Sequence, residues 1–143
     1  MIRYILIFMV CLPFGLQAQV QKSFHQVFEM SDSVQVIELN LVGNYDYKPW
    51  AGNTIMLQTK IVLYDATSAI LDFFTEQGRY EVEAKEVSDK LVLRALDPVR
   101  KVIKSSGVEC FEQVSQVLYI PEDFILTGEN TFSRAIEENG NHD

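Results

Sequence analysis

The sequence predicts a mainly β fold, built as a single compact domain that is sandwich-like or a short solenoid, with one short α-helix at about residues 67–77. Apolar and polar residues alternate in several segments of strand length, and this period of two is typical of strands with one buried face. A single segment has apolar residues at helical spacing instead. Glycine, asparagine and proline separate these segments, as expected for turns.

Residues 1–18 have the layout of a secretory signal peptide. Arg3 lies in a short charged start, an apolar run covers residues 4–12, and Ala18 supplies the small residue before the expected cleavage at Gln19. The apolar run is too short to cross about 30 Å of hydrocarbon comfortably. We therefore expect an exported protein that is periplasmic, displayed on the cell surface or secreted.

The rest of the chain is long enough for one ordinary domain. We interpret residues 19–33 as a polar lead-in segment and residues 34–127 as the β-rich domain. Residues 128–143 form a polar, acidic tail that we expect to be disordered, because it offers little to bury. A brief helical turn at 132–136 is the one structure the pattern allows there.

Four segments of the domain carry strand patterns. Residues 34–42 and 54–64 alternate clearly, and residues 79–96 have the pattern of a hairpin whose turn is Ser88-Asp89. The run from 108 to 120 predicts one long strand or two short ones, stopped by Pro121.

The helical segment 67–77 is followed by Gly78, which is placed to end the helix as a C′ residue. A helix of about three turns is not stable alone in water. We therefore expect its phenylalanines, Phe73 and Phe74, to be buried against the sheet.

Charge restricts the partners. The net charge of −8 and the lack of a basic stripe with interleaved aromatic residues disfavour nucleic acid, and the acidity disfavours anionic lipid. No second apolar segment approaches about 20 residues, so we expect no transmembrane anchor in the mature chain. The one basic cluster could accept an acidic partner, although a solvated loop is the favoured interpretation; it comprises Arg94, Arg100, Lys101 and Lys104.

Residues for nucleophilic catalysis are poorly placed. His25 lies in the lead-in, His142 lies at the end of the tail, and no G-x-S-x-G elbow is present. Cys110 has Glu109 and Glu112 nearby, which would raise rather than lower the pKa of a thiol. We expect Cys110 to be a small buried residue within a strand, with an intermolecular disulfide as the alternative.

The pairs of acidic residues are also better explained as surface residues than as catalytic or metal-binding groups. Glu81 and Glu83 could act on a glycosidic bond, but they lie beside basic residues on what looks like a solvated sheet face. Glu122-Asp123 lacks the surrounding loop of a calcium site, and zinc ligands are too few. We expect no metal and no cofactor.

An aromatic segment is the most suggestive feature. Tyr45, Tyr47 and Trp50 lie within six residues in a turn-rich stretch, among amide and charged side chains. Exposed aromatic rings beside polar groups can stack on sugars or dock a protein. We predict a partner-contact surface here; the alternative is that Trp50 caps the core beside Pro49.

The order of these features resembles a known group of proteins. The string from Val34 through Gly52-Asn53-Thr54-Ile55, the short helix, Gly78-Arg79-Tyr80-Glu81-Val82 and Leu91-Val92-Leu93 is similar to the opening of exported adhesin-like β-solenoid proteins, including head GIN domains, of Bacteroidetes-type bacteria. The resemblance covers at most residues 34–96. It implies a signal peptide, a β-rich body and no known catalytic residues. This chain lacks the long run of short Gly/Asp-rich strands of a full solenoid.

We therefore expect an exported, non-enzymatic β-rich domain that binds or scaffolds in the bacterial envelope, with an envelope protein or a glycan as partner. The alternative is a carrier that holds a small apolar ligand between the sheet and the Ile70–Phe74 helix segment. A carboxylate enzyme is a third, weaker possibility. The sequence leaves the oligomeric state open.

Overall fold

The computed structural model describes residues 18–136. Residues 1–17 and 137–143 hold most of the expected signal peptide and the end of the expected tail, and they lie outside the described residues.

The described residues form eleven strands and one helix, which confirms the predicted mainly β fold. The elements are β1 (Gln19–Phe28), β2 (Val36–Asn40), β3 (Tyr45–Trp50), β4 (Ile55–Tyr64), α1 (Ser68–Glu76), β5 (Val82–Val87), β6 (Lys90–Ala95), β7 (Lys104–Ser105), β8 (Val108–Glu109), β9 (Glu112–Pro121), β10 (Phe124–Gly128) and β11 (Thr131–Arg134).

Two sheets make up most of the domain. The four-stranded sheet has the order β1-β4-β9-β3, the five-stranded sheet has the order β10-β11-β2-β6-β5, and β7 and β8 form a small hairpin. Neighbours are antiparallel except for β3 with β9 and β2 with β6. The two larger sheets pack face to face, which is the sandwich-like form of the prediction.

One hydrophobic core fills the space between these sheets. It draws on both of them, and its buried members include Phe28, Ile37, Leu39, Ile55, Leu57, Leu91, Leu93, Leu118, Ile120, Phe124 and Phe132. Successive strand residues point to opposite faces, so the alternation seen in the sequence of β2, β4 and β6 is the signature of this burial.

The same inner face of β4 continues beyond the five-stranded sheet. There Ile61 and Leu63 pack under α1 and the segment from 96 to 111, in a second buried cluster with Leu71, Tyr80 and Ile103. The ten-residue strands of the four-stranded sheet are therefore covered in two halves, one by strands and the other by the helix and loops.

Helix α1 confirms the predicted segment, and Gly78 follows it with a φ of 77°, the left-handed conformation of a C′ glycine. The prediction that both phenylalanines are buried was wrong. Leu71 is only 2% exposed, but Phe73 is 55% exposed and lies edge-on to Phe74. Adjacent helical residues point about 100° apart, so a nine-residue helix on a sheet buries one of the two more fully than the other.

Two of the expected boundaries need correction. The lead-in 19–33 contains β1, which pairs along its whole length with β4. The tail from 128 contains β11, whose Phe132 is 1% exposed, in place of a helical turn. In β1, two of the inward positions hold Lys22 and Gln26, so the apolar alternation is interrupted although the strand is present.

The hairpin β5–β6 and the final run confirm their predictions. Ser88 and Asp89 form the hairpin turn, with Ser88 at a φ of 58°. The run from 108 to 120 contains two strands, β8 and β9, and Pro121 is the last residue of β9. Within residues 18–136, no helix is long and apolar enough to pass through a membrane.

Candidate functional site

The aromatic segment forms an edge strand, β3, where a turn-rich loop was expected. It runs parallel to β9, from Tyr45 beside Gln116 to Trp50 beside Pro121, with no shift of register. Side chains alternate along such a strand. Tyr45 and Tyr47 therefore share the face that looks toward the five-stranded sheet, whereas Trp50 belongs to the opposite face.

The two tyrosines are held by residues from the far end of the chain. Tyr47 lies edge-on to Phe132 at 4.9 Å between ring centroids and keeps 44% of its surface exposed. The hydroxyl of Tyr45 donates to Oδ1 of Asn130 at 2.9 Å. Burial, followed by the nearby charge of Glu129, raises the pKa of Tyr45, so this hydroxyl is a neutral donor at any physiological pH.

An open cleft of about 460 Å³ lies against these rings. We call it the tyrosine cleft; its lining residues are Gly43, Asn44, Tyr45, Tyr47, Leu126, Glu129 and Asn130. The β2–β3 turn forms one wall and the β10–β11 turn forms the other. The cleft thus combines two aromatic rings, two amide side chains and one carboxylate, and its lining contains no cationic side chain.

Backbone bonds fix the two walls. The amide of Leu39 in β2 donates to the carbonyl of Asn130 at 2.9 Å, which ties the β10–β11 turn to the sheet. Gly43 has a φ of 83°, and a Cβ there would meet nothing within 4 Å. Glycine is therefore present for its backbone conformation, which lets the chain turn into β3.

Trp50 is anchored away from the cleft. Its indole Nε1 donates to the carbonyl of Thr54 at 2.9 Å, and its ring lies so close to Gly52 that a Cβ there would overlap it. The predicted contact surface of Tyr45, Tyr47 and Trp50 is therefore two sites: the structure brings the tyrosines together and places the tryptophan on the 51–54 loop.

Sequence reasoning missed a buried ion pair. Arg79, whose side chain is 5% exposed, donates from Nε and Nη2 to both carboxylate oxygens of Glu112, at 3.0 and 2.7 Å, and from Nη2 to the carbonyl of Lys101. Burial opposes ionisation of Glu112, but Arg79, Tyr80 and Arg100 together outweigh it, with Arg79 the largest of the three, and hold the pKa of Glu112 below its ordinary value. The pair links the end of α1 to the start of β9.

Three residues of the expected basic cluster have contacts within the chain. Arg94 pairs with Glu83 on the neighbouring strand β5. Arg100 lies 5.3 Å from the ring centroid of Tyr80, and burial lowers its pKa. Lys104 is 3.9 Å from Glu109. Arg100 and Lys101 line one open cleft together with Arg79.

The cysteine and the acidic candidate Asp123 make contacts within the fold. Cys110 is buried as predicted, 7% exposed, with its thiol 3.4 Å from the carbonyl of Asp65, although it lies between β8 and β9. Asp123 pairs with Arg134. His25 is exposed on β1, and His142 lies outside the described residues. Between residues 18 and 136, no three His, Cys, Asp or Glu side chains are grouped to hold a metal ion.

The space expected to hold an apolar ligand is filled by the protein itself. Between the four-stranded sheet and α1, the side chains of Ile61, Leu63 and Leu71 pack together with Tyr80 and Ile103, and all five are at most 2% exposed. A ligand there would have to displace part of this core.

No family model matches this chain, and neither curated proteins nor solved structures give a significant match.

Proposed function

We propose that this chain is an exported, non-enzymatic domain that binds a component of the bacterial envelope, and that the tyrosine cleft is its binding site. One observation carries the proposal: two tyrosine rings on the same face of an edge strand border an open cleft lined by amide side chains. Aromatic rings beside a few polar groups are the usual composition of a small-ligand site.

The chemistry of the lining favours an uncharged saccharide. The exposed ring of Tyr47 can stack on the apolar face of a sugar, while Asn44, Glu129 and Asn130 can hydrogen-bond its hydroxyl groups. Glu129 and the net charge of −8 would repel phosphate or uronic acid groups. A protein partner is the competing occupant.

The apolar carrier is less well supported. Its pocket would lie between the sheet and α1, where five side chains are already packed. Cores packed this densely tolerate added volume poorly.

The proposal is tested by measuring binding of mature chain, residues 19–143, to neutral oligosaccharides such as chitohexaose, cellohexaose and maltohexaose. We expect at least one to bind, and Tyr47→Ala to weaken that binding about fivefold or more, since stacking on an aromatic ring is worth about 1 kcal/mol or more. Tyr47→Phe keeps the ring and should bind as the parent does.

Phe73→Ala provides the matched control, because Phe73 is an exposed aromatic residue of similar accessibility on α1. Its binding should be unchanged. If Tyr47→Ala binds the saccharide as tightly as the parent chain does, the tyrosine cleft is not the binding site. A third outcome is that no saccharide binds, and that an envelope protein binds the parent chain but not Tyr47→Ala. That result would support the tyrosine cleft as the site and contradict the saccharide as its ligand.

A further inference from the structure

Strand β1 is an open edge of the four-stranded sheet. It is ten residues long and, among residues 18–136, pairs only with β4, in unbroken register from Gln19 beside Tyr64 to Phe28 beside Ile55. An edge strand exposes a row of backbone donors and acceptors to which another strand can add.

The backbone groups that face outward can be identified. The amide of Asp65 donates to the carbonyl of Ala18, so Ala18 points toward β4. Pairing groups alternate along an antiparallel strand. The outward-facing amides and carbonyls therefore belong to five exposed residues, Gln19, Gln21, Ser23, His25 and Val27.

The other three edges carry features that block strand addition. Strand β3 contains Pro49, and β10 has a register shift between Leu126 and Gly128. In β5, the side chain of Gln26 already bonds both backbone groups of Val82, at 2.9 and 3.1 Å. Prolines, bulges, covered backbone and charged side chains are devices by which proteins protect sheet edges.

Strand β1 lacks the first three of these devices, and the one charged side chain that it carries is neutralised by a partner. It contains no proline and no bulge, and its one ionised side chain, Lys22, is paired with Asp72 at 2.7 Å. It also contains no carboxylate, although the chain has 20 acidic residues. Two copies of this acidic protein can therefore approach at β1 without opposing negative charges.

We propose that two copies of this chain pair antiparallel through β1, about a two-fold axis at Ser23. This register uses all five outward residues: Ser23 lies opposite Ser23 of the second copy, Gln21 opposite His25, and Gln19 opposite Val27. No ionised side chains of like charge are directly opposed. A strand of the same length without carboxylates fits this edge, and β1 of a second copy is such a strand.

The pairing would join two four-stranded sheets into one continuous sheet. The β3 edges lie at its far ends, so each tyrosine cleft stays open. Two linked sites on one polymer bind more tightly than one site alone. The dimer itself does not depend on what the clefts bind.

The test is sedimentation velocity of the mature chain over a wide range of concentration. We expect a reversible dimer, weak because an edge contact buries little surface. Ser23→Pro removes an outward amide and leaves the β4 ladder intact, so it should give a monomer.

Ala84→Pro is the matched control. Leu96 donates to the carbonyl of Glu81, so the amide of Ala84 faces outward from the β5 edge in the same way. This variant should remain a dimer. Loss of the dimer in both variants, or in neither, would overturn the assignment to β1.

Charge pairs test the register without proline. Gln21→Lys with His25→Lys would oppose like charges and give a monomer, whereas Gln21→Lys with His25→Glu would oppose unlike charges and restore the dimer. A parent chain that is monomeric at every concentration, or two double variants with the same association, would contradict the proposal.

Discussion

Arg79 and Glu112 illustrate how one pair of residues connects distant parts of this fold. Their side chains are 5% and 17% exposed, so both charges are largely withdrawn from water. When one member of a buried ion pair is removed, the charge of the other stays buried without its partner, which costs about 3–5 kcal/mol. The pair lies where α1 ends and β9 begins, and Arg79 also lies over the rings of Phe74 and Tyr80 in the second hydrophobic cluster.

We predict that Glu112→Gln lowers the free energy of unfolding by about 3 kcal/mol. Urea unfolding followed by the fluorescence of Trp50, the one tryptophan, measures it. Glu81→Gln is the control, because Glu81 is exposed, and it should change stability by about 0.5 kcal/mol or less. Equal losses in the two variants would contradict this account of the pair.

The same pair predicts a dependence on acid. The pKa of Glu112 is depressed in the folded chain, so its ionised form stabilises the fold above the ordinary value of 4.5. That contribution is lost as the pH falls below 4.5 toward the depressed pKa. The free energy of unfolding should therefore fall less steeply in acid for Glu112→Gln than for the parent chain. Parallel curves would show that the carboxylate is not the group responsible.

At the scale of elements, Gln26 joins the two sheets along one side of the sandwich. Its side-chain amide donates to the carbonyl of Val82 and accepts from the amide of Val82, as a neighbouring strand would. This closes the β1–β5 side. The opposite side, between β3 and β10, has the tyrosine cleft instead.

We predict that Gln26→Met destabilises the chain by about 1–3 kcal/mol, because both backbone groups of Val82 lose their partner. Hydrogen exchange of the Val82 amide should become faster, which locates the effect. Gln58→Met is the control, since Gln58 lies on the outer face of β4, where the described residues give its side chain no hydrogen bond. Unchanged exchange at Val82 would contradict the bridging role.

Element types were predictable where one face alone is buried. Strands β2, β4 and β6 place leucine or isoleucine at most of their inward positions, every second residue, so their pattern is visible in the sequence. Strand β1 was missed because Lys22 and Gln26 point inward to partners in α1 and β5. Strand β11 was missed because only Phe132 of its four residues is buried. The residues that pair with these strands are remote in sequence, so a local sequence pattern cannot reveal them.

At the scale of the whole molecule, the candidate site depends on the sheet order. Tyr45 and Tyr47 were predicted as contact residues from their aromatic spacing. Asn130 and Glu129 were not, because they lie in the expected tail and reach the tyrosines only through the pairing of β11 with β2. Trp50 is separated from the two tyrosines because this segment is a strand and not a loop. In a strand, side chains at odd and even positions point to opposite faces, whereas a loop could have placed all three on one surface.

The central claim is that the tyrosine cleft binds an uncharged saccharide. Amide chemical shifts of the mature chain, followed by NMR during titration with chitohexaose, cellohexaose and maltohexaose, test it most directly. We predict saturable shifts confined to the two turns around the cleft, at Asn44, Tyr45, Tyr47, Glu129 and Asn130. Shifts concentrated elsewhere, or a spectrum that none of these sugars changes, would contradict the account.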